Sequence, residues 1–290
     1  MQISRRTLFS TLAAAPLAAA APAPGRFKVS LAEWSIHRLI QQGKATNLDF
    51  PRIARENDCE GLEFVNTLWG SPTAGYIARL KKRMAETNTK AVLIMVDDEG
   101  QLGHSDPAVR RKAVKDHYKW VDIAAELGCH SIRTNMHSNV TPKTPAENQT
   151  VLDYCADSFR ALCDYARQAG ISILIENHWG LSSDPDAVIA LIQKVNLPNF
   201  GTLPDFGNFP PEIDKYQAVA KLARYARGMS FKCYFEGPEA SENRYDFQRM
   251  MKVVEDSPYS GYIGIEYEGS KLAELEGIAR ARKLLRDYGI

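Results

Sequence analysis

A chain of 290 residues with 36 basic and 35 acidic side chains has a formal net charge of +1. That balance excludes the basic footprint of a nucleic-acid binder and any strong pull toward an anionic membrane surface. The apolar content of 44% suffices for a large core, and no run beyond the N-terminus is long and apolar enough to span a bilayer.

The first residues read as an address. Ser4-Arg-Arg-Thr-Leu-Phe9 matches a twin-arginine export motif. A mildly apolar, alanine-rich run follows from Leu8 to Ala21, and small residues from Ala19 to Ala23 offer cleavage points. Residues 1–24 are therefore expected to be a removable signal peptide, and residues 25–290 a single domain delivered to the periplasm or secreted. The twin-arginine route carries folded proteins, which suits a protein that loads a metal before export.

The mature chain alternates short apolar runs with longer amphipathic ones. The predicted strands are Phe27–Trp34, Gly61–Asn66, Ala91–Asp97, Ser131–Asn135, Ser172–Asn177, Phe200–Asp205, Gly228–Tyr234 and Tyr262–Tyr267. Long helices are predicted from Pro107 to Leu127, with Val109, Ala113, Tyr118, Val121, Ala124 and Ala125 near one face, and from Pro145 to Gln168. Asp184 with Pro185 marks a helix start, and Gly128 and Gly170 mark helix ends. Strand–helix alternation predicts parallel strands with right-handed crossovers. At this length it favours a closed (β/α)8 barrel with its site at the C-terminal strand ends. The five cysteines form no CxxC pair and are read as small buried hydrophobes.

The strand ends supply the candidates. The first four offer Trp34 and His37, Glu63 and Asn66, Asp97 and Asp98, and Asn135 and His137. Together these can form the polar wall of a substrate pocket. Trp34 reads as core or as a sugar-stacking platform, and Glu63 and His137 are assigned to the pocket. Strand five ends in Glu176-Asn177-His178. Glu176 would share a face with His178, and with Ile173 only through a bend or bulge. Strand six ends in Asp205, three residues before Asn208, and strand eight in Glu266 with Glu268 beyond. On strand seven Ser230, Lys232 and Tyr234 share a face. A barrel lysine needs an anion, so Lys232 is read as an ion-pair partner of the strand-six and strand-eight acids or as a substrate ligand. Converging carboxylates repel by roughly 4 kcal/mol per pair at ~4 Å and an effective dielectric of about 20. A divalent metal is the simplest relief, with a shared proton or wide separation as the alternatives.

Four segments carry a resemblance: Ser30-Leu-Ala-Glu-Trp-Ser35, Ile175-Glu-Asn-His178, Leu203-Pro-Asp-Phe-Gly-Asn208 and Tyr262-Ile-Gly-Ile-Glu-Tyr-Glu268. Through them the mature chain resembles the sugar phosphate isomerase/epimerase family of xylose isomerase-like TIM barrels, and within it an exported branch with a twin-arginine leader. The resemblance implies one divalent metal held by a Glu on strand five, an Asp on strand six, a His on strand seven and a Glu on strand eight. Glu176, Asp205 and Glu266 match three of these, but Ser230 stands where the His is expected. Either His178 or water completes the set, or Lys232 serves as the local cation without a metal. An oxygen-rich set favours Mn or Mg, and a His ligand shifts the preference toward Mn, Co or Zn. Asn208 stands where epimerases of the family often carry a His.

The implied function is proton transfer next to a carbonyl of a carbohydrate or cyclic polyol, with Glu176 and Glu266 as the catalytic acid and base and Trp34, Glu63, His137, Asn208 and Lys232 against the substrate. The alternatives are a lyase or dehydratase acting on a keto sugar or glycoside through the same enediolate, and a non-catalytic carbohydrate-binding barrel. A nuclease reading lacks the histidine cluster and the basic groove. The expected partner is a small carbohydrate, with no nucleic acid and no membrane insertion after leader removal. Assembly is left open, a homo-oligomer included.

Overall fold

The computed structural model describes residues 25–237 and 243–290. The leader expected over residues 1–24 lies outside the described residues. Eight strands are formed: β1 (Phe27–Ala32), β2 (Gly61–Val65), β3 (Lys90–Met95), β4 (Ser131–Thr134), β5 (Ser172–Glu176), β6 (Phe200–Leu203), β7 (Met229–Cys233) and β8 (Gly261–Tyr267). All neighbours are parallel, in the order β6-β5-β4-β3-β2-β1-β8-β7. The ring closes between β6 and β7 through the bridges Thr202–Ala226 and Asp205–Ser230. Pro204 has no N–H to give to a ladder, and its carbonyl accepts from Ser230 N at 2.9 Å. The seam is therefore sparse, and it brings Asp205 beside Ser230. The result is a (β/α)8 TIM barrel.

The strands fall where the apolar runs predict, and most end a residue or two earlier. Polar residues at the predicted ends leave the ladder to enter the loops of the barrel mouth. Helices Pro107–Leu127 and Pro145–Gln168 have the predicted bounds. The second begins with a capping box between Thr144 and Glu147. Asp184 caps helix Pro185–Val195 by accepting from Asp186 N, and Gly128 takes the left-handed C-cap with φ 81°. Val109 departs from its predicted face. It is exposed, because it lies in the first turn of its helix, ahead of the stripe through Ala113, Val121 and Ala124 that meets the sheet.

The core has two layers. The larger one lies between the sheet and the helices and includes Ile132, Ile173, Ile175, Phe231 and Ile265. The smaller one fills the barrel with Ala32, Val65, Val92, Leu93, Met95, Leu174 and Leu203. All five cysteines are buried free thiols, as the spacing predicted. No helix among the described residues is long and apolar enough to cross a membrane.

Candidate active site

Strand parity decides what faces the barrel. On β5, Ile173 and Ile175 pack outward and Leu174 inward. Glu176 therefore points inward with Leu174, and no bulge is needed. On β7 and β8, Phe231 and Ile265 pack outward, which turns Ser230, Lys232, Gly264 and Glu266 inward. The register pairs Lys232 directly with Glu266. Asp205 is held by its neighbour: Asn177 Oδ1 accepts from Asp205 N at 2.8 Å, and Asn177 Nδ2 donates to Asp205 O at 2.9 Å. An amide side chain thus continues the ladder that Pro204 interrupts.

Glu176, Asp205 and Glu266 meet at the C-terminal end of the barrel. All three are buried, with ligand oxygens within 4.8 Å of one another. Lys232 Nζ lies 3.2 Å from Glu266 Oε1, 3.6 Å from Asp205 Oδ2 and 3.4 Å from Glu268 Oε1. The Ser230 hydroxyl stands 2.9 Å from Asp205 Oδ2 and 2.8 Å from Glu266 Oε2. Asn208 Nδ2 donates to Glu176 Oε1 at 3.0 Å. On the other side Arg133 Nε lies 2.9 Å from Glu176 Oε2, while its NH1 donates to Asp97 Oδ1 at 2.6 Å. The Arg133 Nε–H is not aimed at Glu176 Oε2, and neither atom has a hydrogen-bond partner. Charge rather than a directed bond joins that pair.

Burial pushes the Glu176 carboxyl well above its ordinary value, against the opposing pull of Arg133 and Lys232. Burial likewise raises Asp205 to about 6, opposed by Lys232. Burial alone would lower Lys232, but the carboxylates of Glu266, Asp205 and Glu176 outweigh it and hold the ammonium charged. Three acids against two buried cations leave an excess of negative charge that a proton or a further cation relieves. The all-oxygen donor set, with Glu176 Oε2 enclosed and unpartnered, fits a hard divalent ion such as Mg or Mn.

The predicted residues divide into those that join this centre and those that do not. Lys232 and Asn208 contact the triad. Trp34 lines a cavity of 130 Å³ above it, together with Val65, Met95, Asp97, Arg133, His178, Trp179, Glu266 and Glu268. Glu63, assigned to the substrate pocket, is instead sealed inside the barrel below it. Ser30 Oγ donates to its Oε1 at 2.5 Å, and Val65, two residues later on the same face, forms the pocket floor. A Cβ on Gly264 would stand 2.4 Å from Glu63 Oε1, so only glycine leaves room for that carboxyl. His178, offered as a metal ligand, is not part of the triad. Its Nδ1 lies 3.2 Å from Asn135 Oδ1 and its ring stacks on Trp179 at 3.5 Å, because the chain past Glu176 has left the strand and its alternation. Burial, with Arg133 and Lys232 nearby, depresses its pKa to about 3, so the ring is neutral. His137 lies outside the acid-lined cavity and borders the next one, beside Trp179. Arg133 and Asn177 were not anticipated. Arg133 carries the same signal as Lys232, a lone cation at an inward position of an apolar strand.

No curated protein matches the chain. A family model described as xylose isomerase-like TIM barrel matches residues 51–288. Among solved structures, a 3-keto-D-glucoside 4-epimerase from E. coli in its apo form superposes with a TM-score of 0.70 at 16% identity, over 90% of this chain and 99% of that one. An L-ribulose 3-epimerase gives a TM-score of 0.72 at 14% identity, over 90% and 94%. A xylose isomerase-like TIM barrel protein from Mycobacterium smegmatis in complex with magnesium gives 0.67 at 17%, over 92% and 96%. At these identities the likeness establishes the fold and not the reaction.

Proposed function

We propose that this chain, which belongs to the xylose isomerase-like TIM barrel family, is a sugar isomerase or epimerase that moves a proton at a carbon next to a carbonyl. The observation that carries this reading is the buried triad Glu176–Asp205–Glu266 at the barrel mouth, with Lys232 and Arg133 against it. A carboxyl whose pKa is raised by burial is a stronger base and a more useful acid near neutrality. Glu176 has that property, and Asn208 fixes its Oε1. Glu266 is the second proton carrier in this reading. Negative charge developing on the substrate oxygen would be met by Lys232, an ammonium already held buried among the acids. Trp34 walls the ring of the sugar. Glu176, Asp205 and Glu266 would hold one divalent ion, which when bound would polarise the carbonyl oxygen. The magnesium-bound neighbour supports this part of the reading.

Return of the proton to the opposite face of the same carbon gives epimerisation, and return to the neighbouring carbon gives isomerisation. Loss of a β-oxygen gives the lyase outcome. The test is to incubate the protein in D₂O with ketohexoses and 3-keto-glucosides and follow deuterium at the carbon beside the carbonyl by NMR, identifying products in parallel. Exchange that is lost in Glu176→Gln and Glu266→Gln is the expected result. Exchange at the normal rate in both variants would remove these residues from the reaction. Export by the twin-arginine route is also part of the proposal. Periplasmic recovery of the full chain, abolished by replacing Arg5 and Arg6 with lysine, is the check.

A further inference from the structure

We infer that the substrate carries a second hydroxylated ring, and that the cavity between the β3, β4 and β5 loops receives it. The inference rests on the acid-lined cavity being the reacting site. That cavity measures 130 Å³, below the range of about 300–1,000 Å³ usual for small-molecule sites. A cavity of 410 Å³ adjoins it, and the Trp179 indole belongs to the lining of both.

Trp179 is 59% exposed and, among the described residues, is the only aromatic in the set of exposed large hydrophobic side chains. Stacking on the His178 ring at 3.5 Å, with His137 at 5.6 Å, holds it at the rim. The cavity beyond has an apolar side that includes Met136, Val140 and Leu181, and a polar side that includes Gln101 and Asn148. Gln101 Oε1 is enclosed and has no hydrogen-bond partner. The Ser138 and Thr141 hydroxyls and the Asn148 amide also line the cavity and can exchange hydrogen bonds with a ligand's hydroxyls. Among the described residues no lysine or arginine lines the cavity, while Asp184 does, so its charge disfavours a phosphate. An indole face, apolar walls and amide groups together suit a ring that presents C–H bonds on one side and hydroxyls at its edge. A second sugar has that chemistry, and a phenolic aglycone shares the edge hydroxyl and meets the indole through its own π face instead.

The test is calorimetric binding of methyl β-glucoside, cellobiose and 4-hydroxyphenyl β-glucoside to the full mature protein, with saturation-transfer NMR to locate the contacts. One or both two-ring ligands are expected to bind at least about tenfold more tightly than the methyl glycoside, with the second ring receiving saturation. Which of the two gains shows whether the ring is a sugar or a phenol. Asn148→Trp, which fills the cavity from its edge, and Trp179→Ala are each expected to erase the preference. Equal affinity of all three ligands, no binding of any, or a preference that survives Asn148→Trp would overturn the inference. Because binding is read without turnover, failure of the reaction is seen separately: a two-ring preference with no deuterium exchange in any sugar would reject the enzyme and leave a carbohydrate-binding barrel.

Discussion

Arg133 Nε lies 2.9 Å from Glu176 Oε2, and both side chains are buried. Arg133 is the largest influence holding the Glu176 carboxyl down against burial. Removing one partner of a buried ion pair costs about 3–5 kcal/mol, because the other charge is left uncompensated. Arg133→Gln is therefore expected to lower thermal stability and to raise the Glu176 pKa further. A base of higher pKa is less often ionised at a given pH, so the acidic limb of the kcat profile should move to higher pH. Arg133→Lys should recover part of this, since it restores the charge without the fork that also reaches Asp97. A pH profile unchanged in Arg133→Gln would show that the pair is structural only.

Asp205 uses its two oxygens differently. Oδ1 accepts from Gly207 N at 2.7 Å and Asn208 N at 2.8 Å, and Oδ2 faces Ser230 and Lys232. Asp205→Asn keeps an acceptor for the turn and removes the charge from the triad. The variant should fold, with unchanged circular dichroism, and should bind Mn at least about tenfold more weakly by titration calorimetry. Equal affinity in the two proteins would sink the assignment of Asp205 as a ligand.

Glu63 tests the barrel interior. Burial raises its carboxyl to about 8 from the ordinary glutamate value of 4.5. Below 4.5 the group is protonated whether the chain is folded or not, and its stabilising share is complete. Between 4.5 and 8 the unfolded chain releases a proton that the folded chain keeps, so stability falls by up to about 1.4 kcal/mol per pH unit from this group. Above 8 the loss levels off. Glu63→Gln should remove that slope, so the Tm of the variant should gain on the wild type as pH rises from 5 to 8. Parallel Tm curves would mean that Glu63 is ionised in the fold. Gly264→Ala should be strongly destabilising by contrast, because its Cβ meets the same carboxyl.

The architecture was legible because the strands of a parallel barrel are buried on both faces and read as continuous apolar runs. Helix bounds were legible where chemistry marks them, at Pro145, Asp184 and Gly128. The triad was legible for a related reason: an acid closing an apolar run has few uses outside a mouth. Glu63 was assigned to the pocket from the second predicted strand, but it lies one inward step below Val65 and is sealed inside the barrel. His178 was given the alternation of strand five, but it lies two residues past the last strand residue and obeys loop geometry. Arg133 was passed over inside Ser131-Ile-Arg-Thr134, although it is a mid-strand cation like Lys232; Ile132 packs outward and turns it inward beside Leu174. The Trp179 platform depends on two loops that approach only in the fold.

The last prediction concerns the position between β6 and β8. The Ser230 hydroxyl lies within hydrogen-bond distance of both Asp205 Oδ2 and Glu266 Oε2, yet a hydroxyl has one proton to donate. The second contact is relieved when a carboxyl carries a proton or a cation enters. Lys232 is the cation at hand, and it lowers the pKa of both Glu176 and Asp205 against burial. Lys232→Met leaves the acids with Arg133 alone, which faces Glu176 and not Asp205. Turnover should fall, by an amount comparable to the ~10²–10³-fold loss of one preorganised charge donor, and the acidic limb should move upward. Divalent-ion affinity should rise in the same variant, because a competing ammonium 3.2 Å from Glu266 has been removed. Ser230→His should also tighten ion binding, by adding a nitrogen donor between the two acids. Opposite movement of ion affinity and turnover in Lys232→Met is the expected signature, read by calorimetry and steady-state kinetics on one preparation. A variant that loses ion affinity and keeps turnover would show that Lys232 supports the ligands structurally and takes no part in stabilising charge on the substrate.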